Sequence, residues 1–245
     1  MKAMIFAAGL GTRLRPLTDN KPKALVEVAG KPMLQRVIEN LKHYGFDDIT
    51  INVHHFGEQI MDFVAANGNF GVDIHISDER GELLDTGGGI LKARKWLDGN
   101  EPFLVHNADI LTDLNLREFY EYHLHHSADA PLLTASRHTA RYLLFDDGNR
   151  LHGWINKQTG ATLPEGVVYE PGAYKEMAFG GIHVISPHIF DALNGFTDEH
   201  KFSIVPFYVA KCRELKVMSY APSGYRWFDV GKIETLHLAE AAFKE

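Results

Sequence analysis

Gly9-Leu10-Gly11-Thr12-Arg13 follows directly on the apolar run Met4-Ile5-Phe6-Ala7-Ala8, and Lys21-Pro22-Lys23 comes soon after. Glycines at the C-terminal end of a strand let backbone N–H groups approach phosphate oxygens, because no Cβ stands in the way. That edge of an open α/β sheet is also where ligands bind. A Gly-x-Gly pair alone is weak evidence, since ordinary βα turns contain glycine. The third glycine of the dinucleotide fingerprint is missing, and so is the Gly-Lys-Ser/Thr of a P-loop. Arg13 and Lys23 strengthen the reading. Two cationic side chains converging on a glycine turn suit a triphosphate.

Three other groups could take part. Leu84-Asp85-Thr86-Gly87-Gly88-Gly89 reads as a tight turn into a helix, and Asn107-Ala108-Asp109 ends a short apolar run. Trp227-Phe228-Asp229-Val230-Gly231 precedes the last helical stretch. A lone Asp after a strand is ordinarily a helix cap, so neither Asp109 nor Asp229 carries a metal reading by itself. The fourteen histidines include adjacent pairs that point in different directions. They show no H-x-x-x-H pair with a carboxylate partner, and no zinc site is expected. His55 reads as a polar strand end.

Composition sets the bounds. The 245 residues carry a net charge of −7, with Lys and Arg scattered rather than gathered in a stripe. Duplex binding needs a basic surface, so nucleic acid is not expected as a partner. The single cysteine, Cys212, rules out an internal disulfide and a cysteine zinc site, and it sits in an apolar helical pattern. The apolar N-terminal stretch is too short to span a membrane and has no targeting character. No membrane partner is expected, and the cytoplasm is the default location.

The elements that must hold these residues alternate short apolar runs with amphipathic periods, the pattern of βα units around a mostly parallel sheet. Strands are predicted at 2–6, 48–53, 72–76 and 103–106, and helices at 32–44, 58–67, 89–97 and 116–125. After that the pattern becomes richer in short strands: 132–136, and a hairpin of 142–145 and 151–155 turned at Asp147-Gly148. A Gly/Pro-rich loop at 156–176 follows, with Tyr169 and Tyr174, and a loop of that length suggests a functional segment. Further helices are predicted to open at Ser186-Pro187 and at Ser203, with a strand at 217–220. The chain reads as a single domain over 1–245, with a nucleotide-binding half to about 110 and an acceptor-binding half at about 111–245.

Gly9-x-Gly11-Thr12-Arg13-x-x-Pro16-x-Thr18, Lys21-Pro22-Lys23-Ala24-Leu25 and Val28-Ala29-Gly30-Lys31-Pro32-Met33 together resemble the signature of the sugar-1-phosphate nucleotidyltransferases. The later stations agree and the resemblance spans nearly the whole chain. It implies a Rossmann-like α/β fold of the nucleotide-diphospho-sugar transferase type, a mixed and mostly parallel sheet flanked by helices with a small β-rich acceptor-binding portion. It implies Arg13 and Lys23 as catalytic cations. Ala8, Gly9, Gly11, Thr12, Arg13, Lys23, Glu82, Thr86, Gly87 and Gly88 would bind nucleotide. Asn107, Gly180 and Gly181 would lie against the sugar phosphate, and Asp109 and Asp229 would hold Mg²⁺. Ala108 departs from the family's Asn-Gly-Asp.

The implied reaction joins an NTP to a sugar 1-phosphate and releases pyrophosphate. The triple glycine and the Phe228-Asp229-Val230-Gly231 ending are most similar to N-acetylmuramate-1-phosphate uridylyltransferases of cell-wall recycling, with UTP as donor. Guanylyl transfer to a hexose 1-phosphate, and cytidylyl transfer to phosphocholine, are alternatives within the class. A silent nucleotide-sugar-binding subunit is the alternative from another class, although Arg13, Lys23 and both aspartates are all present. The loop at 156–176 is expected to bear on the acceptor. Monomer and homodimer are both compatible with the resemblance.

Overall fold

The structure is a computed structural model and describes residues 1–244. The chain runs β1 (Lys2–Phe6), β2 (Glu27–Val28), β3 (Lys31–Pro32), α1 (Met33–His43), β4 (Asp48–Val53), α2 (Gly57–Ala66), β5 (Asp73–Asp78), α3 (Asp85–Lys92), α4 (Arg94–Leu97), β6 (Phe103–Asn107), β7 (Ile110–Thr112) and α5 (Leu116–His126). It continues with β8 (Ala130–Ala135), β9 (Arg141–Phe145), β10 (Leu151–Asn156), β11 (Thr162–Leu163), β12 (Lys175–Ile185), α6 (Ile189–Asn194), α7 (Ile204–Lys211), β13 (Val217–Tyr220), β14 (Trp227–Asp229) and α8 (Ile233–Phe243).

Successive side chains of a strand face opposite sides, and the parallel strands β1 and β6 are apolar on both. Ala3 and Ile5 enter one buried cluster while Met4 enters the other, and on β6 Leu104 takes the first side while Phe103 and Val105 take the second. Helices cover both faces. Leu34, Val37, Ile38 and Leu41 form the buried stripe of α1 at helical spacing. Each such burial contributes roughly 1.5–3 kcal/mol.

The central block β6-β1-β4-β5 is parallel. The C-terminal ends of these four strands therefore open on one edge. β12 runs antiparallel to β6 and carries the sheet onward to β9, β10 and β11. It also pairs with β8, which pairs parallel with β13. The register along β12 breaks between Phe179 and His183. Gly181 sits there at φ 76°, a backbone state that residues with a Cβ rarely adopt.

Two differences from the sequence-based elements matter for the site. α3 begins at Asp85 rather than at residue 89, so Gly87 and Gly88 lie inside the helix rather than in a turn before it. The loop at 156–176 contains β11, which pairs with β10. Lys157 donates 2.7 Å to Glu176, and the same carboxylate accepts from the Tyr169 hydroxyl. No helix of the described residues is long and apolar enough to cross a membrane.

Candidate active site

The shared C-terminal edge of β1, β4, β5 and β6 bounds a cavity of about 410 Å³. Phe6 to Gly9 and Asn107 to Asp109 form its floor, with Lys23, Thr86 and Lys201 around it. Gly11 holds a left-handed φ of 66°. A Cβ there would come within 2.9 Å of Lys23 Cβ and 3.0 Å of Thr18 Cγ2. Thr18 is buried, and its hydroxyl donates 2.9 Å to the Gly11 carbonyl. The glycine loop is thus folded down onto the segment that carries Lys23.

The two aspartates meet through a short ladder. β14 pairs antiparallel with β7, placing Asp229 opposite Ile110, and the Val230 N–H donates 2.9 Å to the Asp109 carbonyl. Lys23 is ion-paired with Asp109. Asp229 Oδ1 is buried and has no hydrogen-bond partner among the described residues. A Cβ on Gly231 would lie 2.9 Å from that oxygen and 3.0 Å from an Arg13 guanidinium nitrogen. Residues 13, 23, 109 and 229, widely separated in sequence, therefore occupy one neighbourhood.

Asn107, Gly180 and Gly181 adjoin it. A Cβ on Gly181 would lie 3.0 Å from Asn107 Nδ2 and 2.9 Å from Ile110 Cγ1, and Trp227 Nε1 donates 2.9 Å to the Gly180 carbonyl. Both glycines are buried, so close packing accounts for their small size. Ala8 and Gly9 line the cavity, whereas Thr12 and Arg13 are exposed outside its lining.

The remaining nucleotide-binding candidates divide. Thr86 lines the cavity, and its hydroxyl accepts 2.9 Å from the Ile204 N–H. Gly87 and Gly88 do not line it. They are buried in α3, where a Cβ on Gly87 would overlap the Phe202 ring and one on Gly88 would overlap the His200 carbonyl. Their N–H groups donate 2.8 and 3.2 Å to the Phe202 carbonyl. Close approach of the 200–202 segment is the physical reason for glycine at both. Glu82 is exposed, outside the lining, and 3.8 Å from His200 Nδ1. No residue of the 156–176 loop lines this cavity.

Sequence reasoning missed the polar network beneath the cavity. The Ala7 N–H donates 2.8 Å to Asn52 Oδ1, and Asn52 Nδ2 donates 2.8 Å to Glu79 Oε1. Glu79 Oε2 accepts 3.1 Å from the Leu84 N–H. Burial raises the Glu79 pKa against these bonds. The one signal for the network was Asn52, on the polar face of β4, where Asp48, Thr50 and Asn52 alternate with apolar residues. Lys201, on an exposed stretch, gave none.

Comparison with known proteins decides the family. The Nucleotidyl transferase family matches over residues 2–245. The chain belongs to the nucleotidyl transferase family. It is a nucleotidyltransferase. It is 34% identical to N-acetylmuramate alpha-1-phosphate uridylyltransferase of Neisseria meningitidis serogroup B, over 98% of this chain and 97% of that one. It is 31% identical to the protein of the same name from Caulobacter vibrioides, over 99% and 97%. Among solved structures, HddC from Yersinia pseudotuberculosis complexed with GMP-PN aligns with a TM-score of 0.75 at 23% identity, covering 99% of each chain. That likeness shows a shared fold, a mixed sheet with a parallel central block.

Proposed function

We propose that this nucleotidyltransferase transfers a uridylyl group from UTP to N-acetylmuramate 1-phosphate, as a cytoplasmic enzyme of cell-wall recycling. The observation that carries the reading is the match, over nearly the full length of both chains, to two uridylyltransferases of that substrate.

In the reaction, a phosphate oxygen of the acceptor attacks the α-phosphorus of UTP in line. A new P–O bond forms as the bond to the bridging oxygen breaks, and pyrophosphate leaves with the electron pair. The nucleophile is already an anion, so no general base is required. Positioning and charge stabilisation carry the rate. The exposed Arg13 guanidinium suits the β- and γ-phosphates, where its planar fork can bind two oxygens of the leaving group. Lys23 uses one of its three donors on Asp109, leaving two for phosphate oxygens between nucleophile and α-phosphorus.

Asp109 and Asp229 fit Mg²⁺: both are hard oxygen donors, and one Asp229 oxygen is buried without a partner. No group of three or more His, Cys, Asp or Glu forms a metal cluster among the described residues. Substrate phosphate oxygens and water would complete the six positions such an ion requires. When bound, Mg²⁺ would neutralise the charge of the approaching anions.

The test is a matrix of four NTPs against a panel of sugar 1-phosphates and phosphocholine, reading pyrophosphate release. UTP with N-acetylmuramate 1-phosphate is expected to turn over fastest. A different best pair overturns the substrate assignment while leaving nucleotidyl transfer intact. No pyrophosphate from any pair would point to a nucleotide-sugar-binding subunit.

A further inference from the structure

A second cavity, of about 600 Å³, lies between the start of β10, the 166–174 part of the long loop and the C-terminal end of α7. That volume is in the range that holds a small molecule. Arg150, Arg213 and His152 line it beside an apolar wall that includes Leu151 and Val167.

The charges in it are unusual for a chain of net charge −7. Asp146, the carboxylate in the lining, is already engaged: it accepts 2.9 Å from His152 Nε2 and 2.9 Å from the Arg150 backbone N–H. Neither guanidinium pairs with a carboxylate among the described residues. The Arg150 guanidinium reaches the Arg213 backbone carbonyl, at 3.4 Å, and the Arg213 guanidinium lies 3.9 Å from where a Cβ on Gly166, another lining residue, would stand. Two cations that border one cavity without a carboxylate partner favour an anion in the space between them. Paired arginine forks match the oxygens of a phosphate.

We propose that this second cavity binds a phosphate monoester, its phosphate between Arg150 and Arg213 and its body against the apolar wall. The site is separate from the nucleotide cavity and shares no lining residue with it. The assignment does not depend on which substrates the enzyme uses. α7 connects the two places. Its first turn is tied to the nucleotide cavity through Ser203, whose hydroxyl donates 2.7 Å to Asp85, and through the Ile204 N–H on Thr86. Its other end carries Cys212 and Arg213 into the second cavity.

Cys212 supplies a site-specific readout, because it is the only thiol in the chain. It is 2% exposed, so a maleimide reaches it only when the segment opens, and a ligand that binds the closed form suppresses opening. At ten times its Kd such a ligand slows alkylation by about tenfold. The full chain is treated with N-ethylmaleimide and followed by intact mass, with UTP and Mg²⁺ saturating the nucleotide cavity. The probes are inorganic phosphate, glucose 6-phosphate and neutral glucose.

Glucose 6-phosphate is expected to slow alkylation, glucose is not, and the R150Q/R213Q double variant should lose the protection while keeping its basal turnover. Protection by inorganic phosphate equal to that by glucose 6-phosphate supports the phosphate contacts and overturns the contact with the body. Greater protection by glucose 6-phosphate supports both. No protection by either phosphate at millimolar concentration overturns the site. So does protection that survives in R150Q/R213Q. Because the readout is alkylation, failure here leaves the substrate matrix untouched, and failure there leaves this result standing.

Discussion

Val230 donates its N–H to the Asp109 carbonyl across 2.9 Å, locking the chain beside Asp229 to the chain beside Asp109. The bond is made by backbone, so it holds the two carboxylates in register whatever their side chains become. Asp109→Asn and Asp229→Asn should therefore fold as the parent does. Each should lower Mg²⁺-dependent pyrophosphate release by about 10²-fold or more, the scale for removing one charged group from such a site. Release is to be measured beside the thermal midpoint. Parent-like turnover in either variant removes that residue from the metal site.

Arg13 tests geometry against charge. Arg13→Ala should reduce turnover by about 10²-fold, on the order of 3 kcal/mol of barrier. Arg13→Lys should recover only part, because a point charge cannot reproduce a two-oxygen fork. Steady-state kinetics of the three proteins decide it. Full recovery by lysine would mean that Arg13 supplies charge alone.

Gly88 faces the His200 carbonyl with no room for a methyl group. Gly88→Ala should push the 200–202 segment outward and cost about 1–3 kcal/mol of stability, as overpacking does. Lys201 lies on that segment and lines the cavity proposed for the NTP, so the KM for the NTP should rise as well. Urea unfolding and KM measurements check both parts. An unchanged KM with lowered stability would separate packing from nucleotide binding.

Three buried histidines set a pH dependence of stability. Burial lowers the His106 and His123 pKa values to about 4 and the His183 pKa to about 3. Unfolded histidine titrates near 6.5. Below about 6.5 the unfolded chain takes up protons that the folded chain refuses, so stability falls as pH drops. The slope is about 1.4 kcal/mol per pH unit for each histidine, continuing down to the folded values. Unfolding free energy measured from pH 7 to 5 should show it. His183→Gln should flatten the slope by about one histidine's share, and an unchanged slope would acquit His183.

Much of this was legible in the sequence because it was local. Residues 2–6, 48–53 and 103–107 declare themselves by apolar runs, and α1 by its stripe at helical spacing. The strand ends then placed Ala8, Gly9 and Asp109 at one edge. What was hidden depended on partners far along the chain. The glycines at 87 and 88 looked like a turn because glycine usually breaks helices, and nothing local announced that residues 200–202 would press against them. The long loop was expected to bear on the acceptor, and no local signal showed that its β11 would pair with β10 or that residues 166–174 would border a second cavity. Glu79 fits no period, and its role rests on Asn52 and Leu84. Glu82 entered only through the family resemblance, and its side chain is exposed outside the lining of the cavity.

β12 stands between β6 and β9, so one edge of β6 has no partner until residues 182–185 exist. On the ribosome, which emits the chain from its N-terminus, the early strands β5, β4, β1 and β6 can assemble with that edge still open. An open strand edge is an invitation to the wrong neighbour. Lys201 and Asp229 come later still, before α7 and at the end of β14. A nascent chain that ends before them holds the glycine loop and Lys23 but lacks the far wall of the cavity and one carboxylate. The edge of β6 can therefore close before the chain has supplied the last residues that border the cavity and its neighbouring carboxylate.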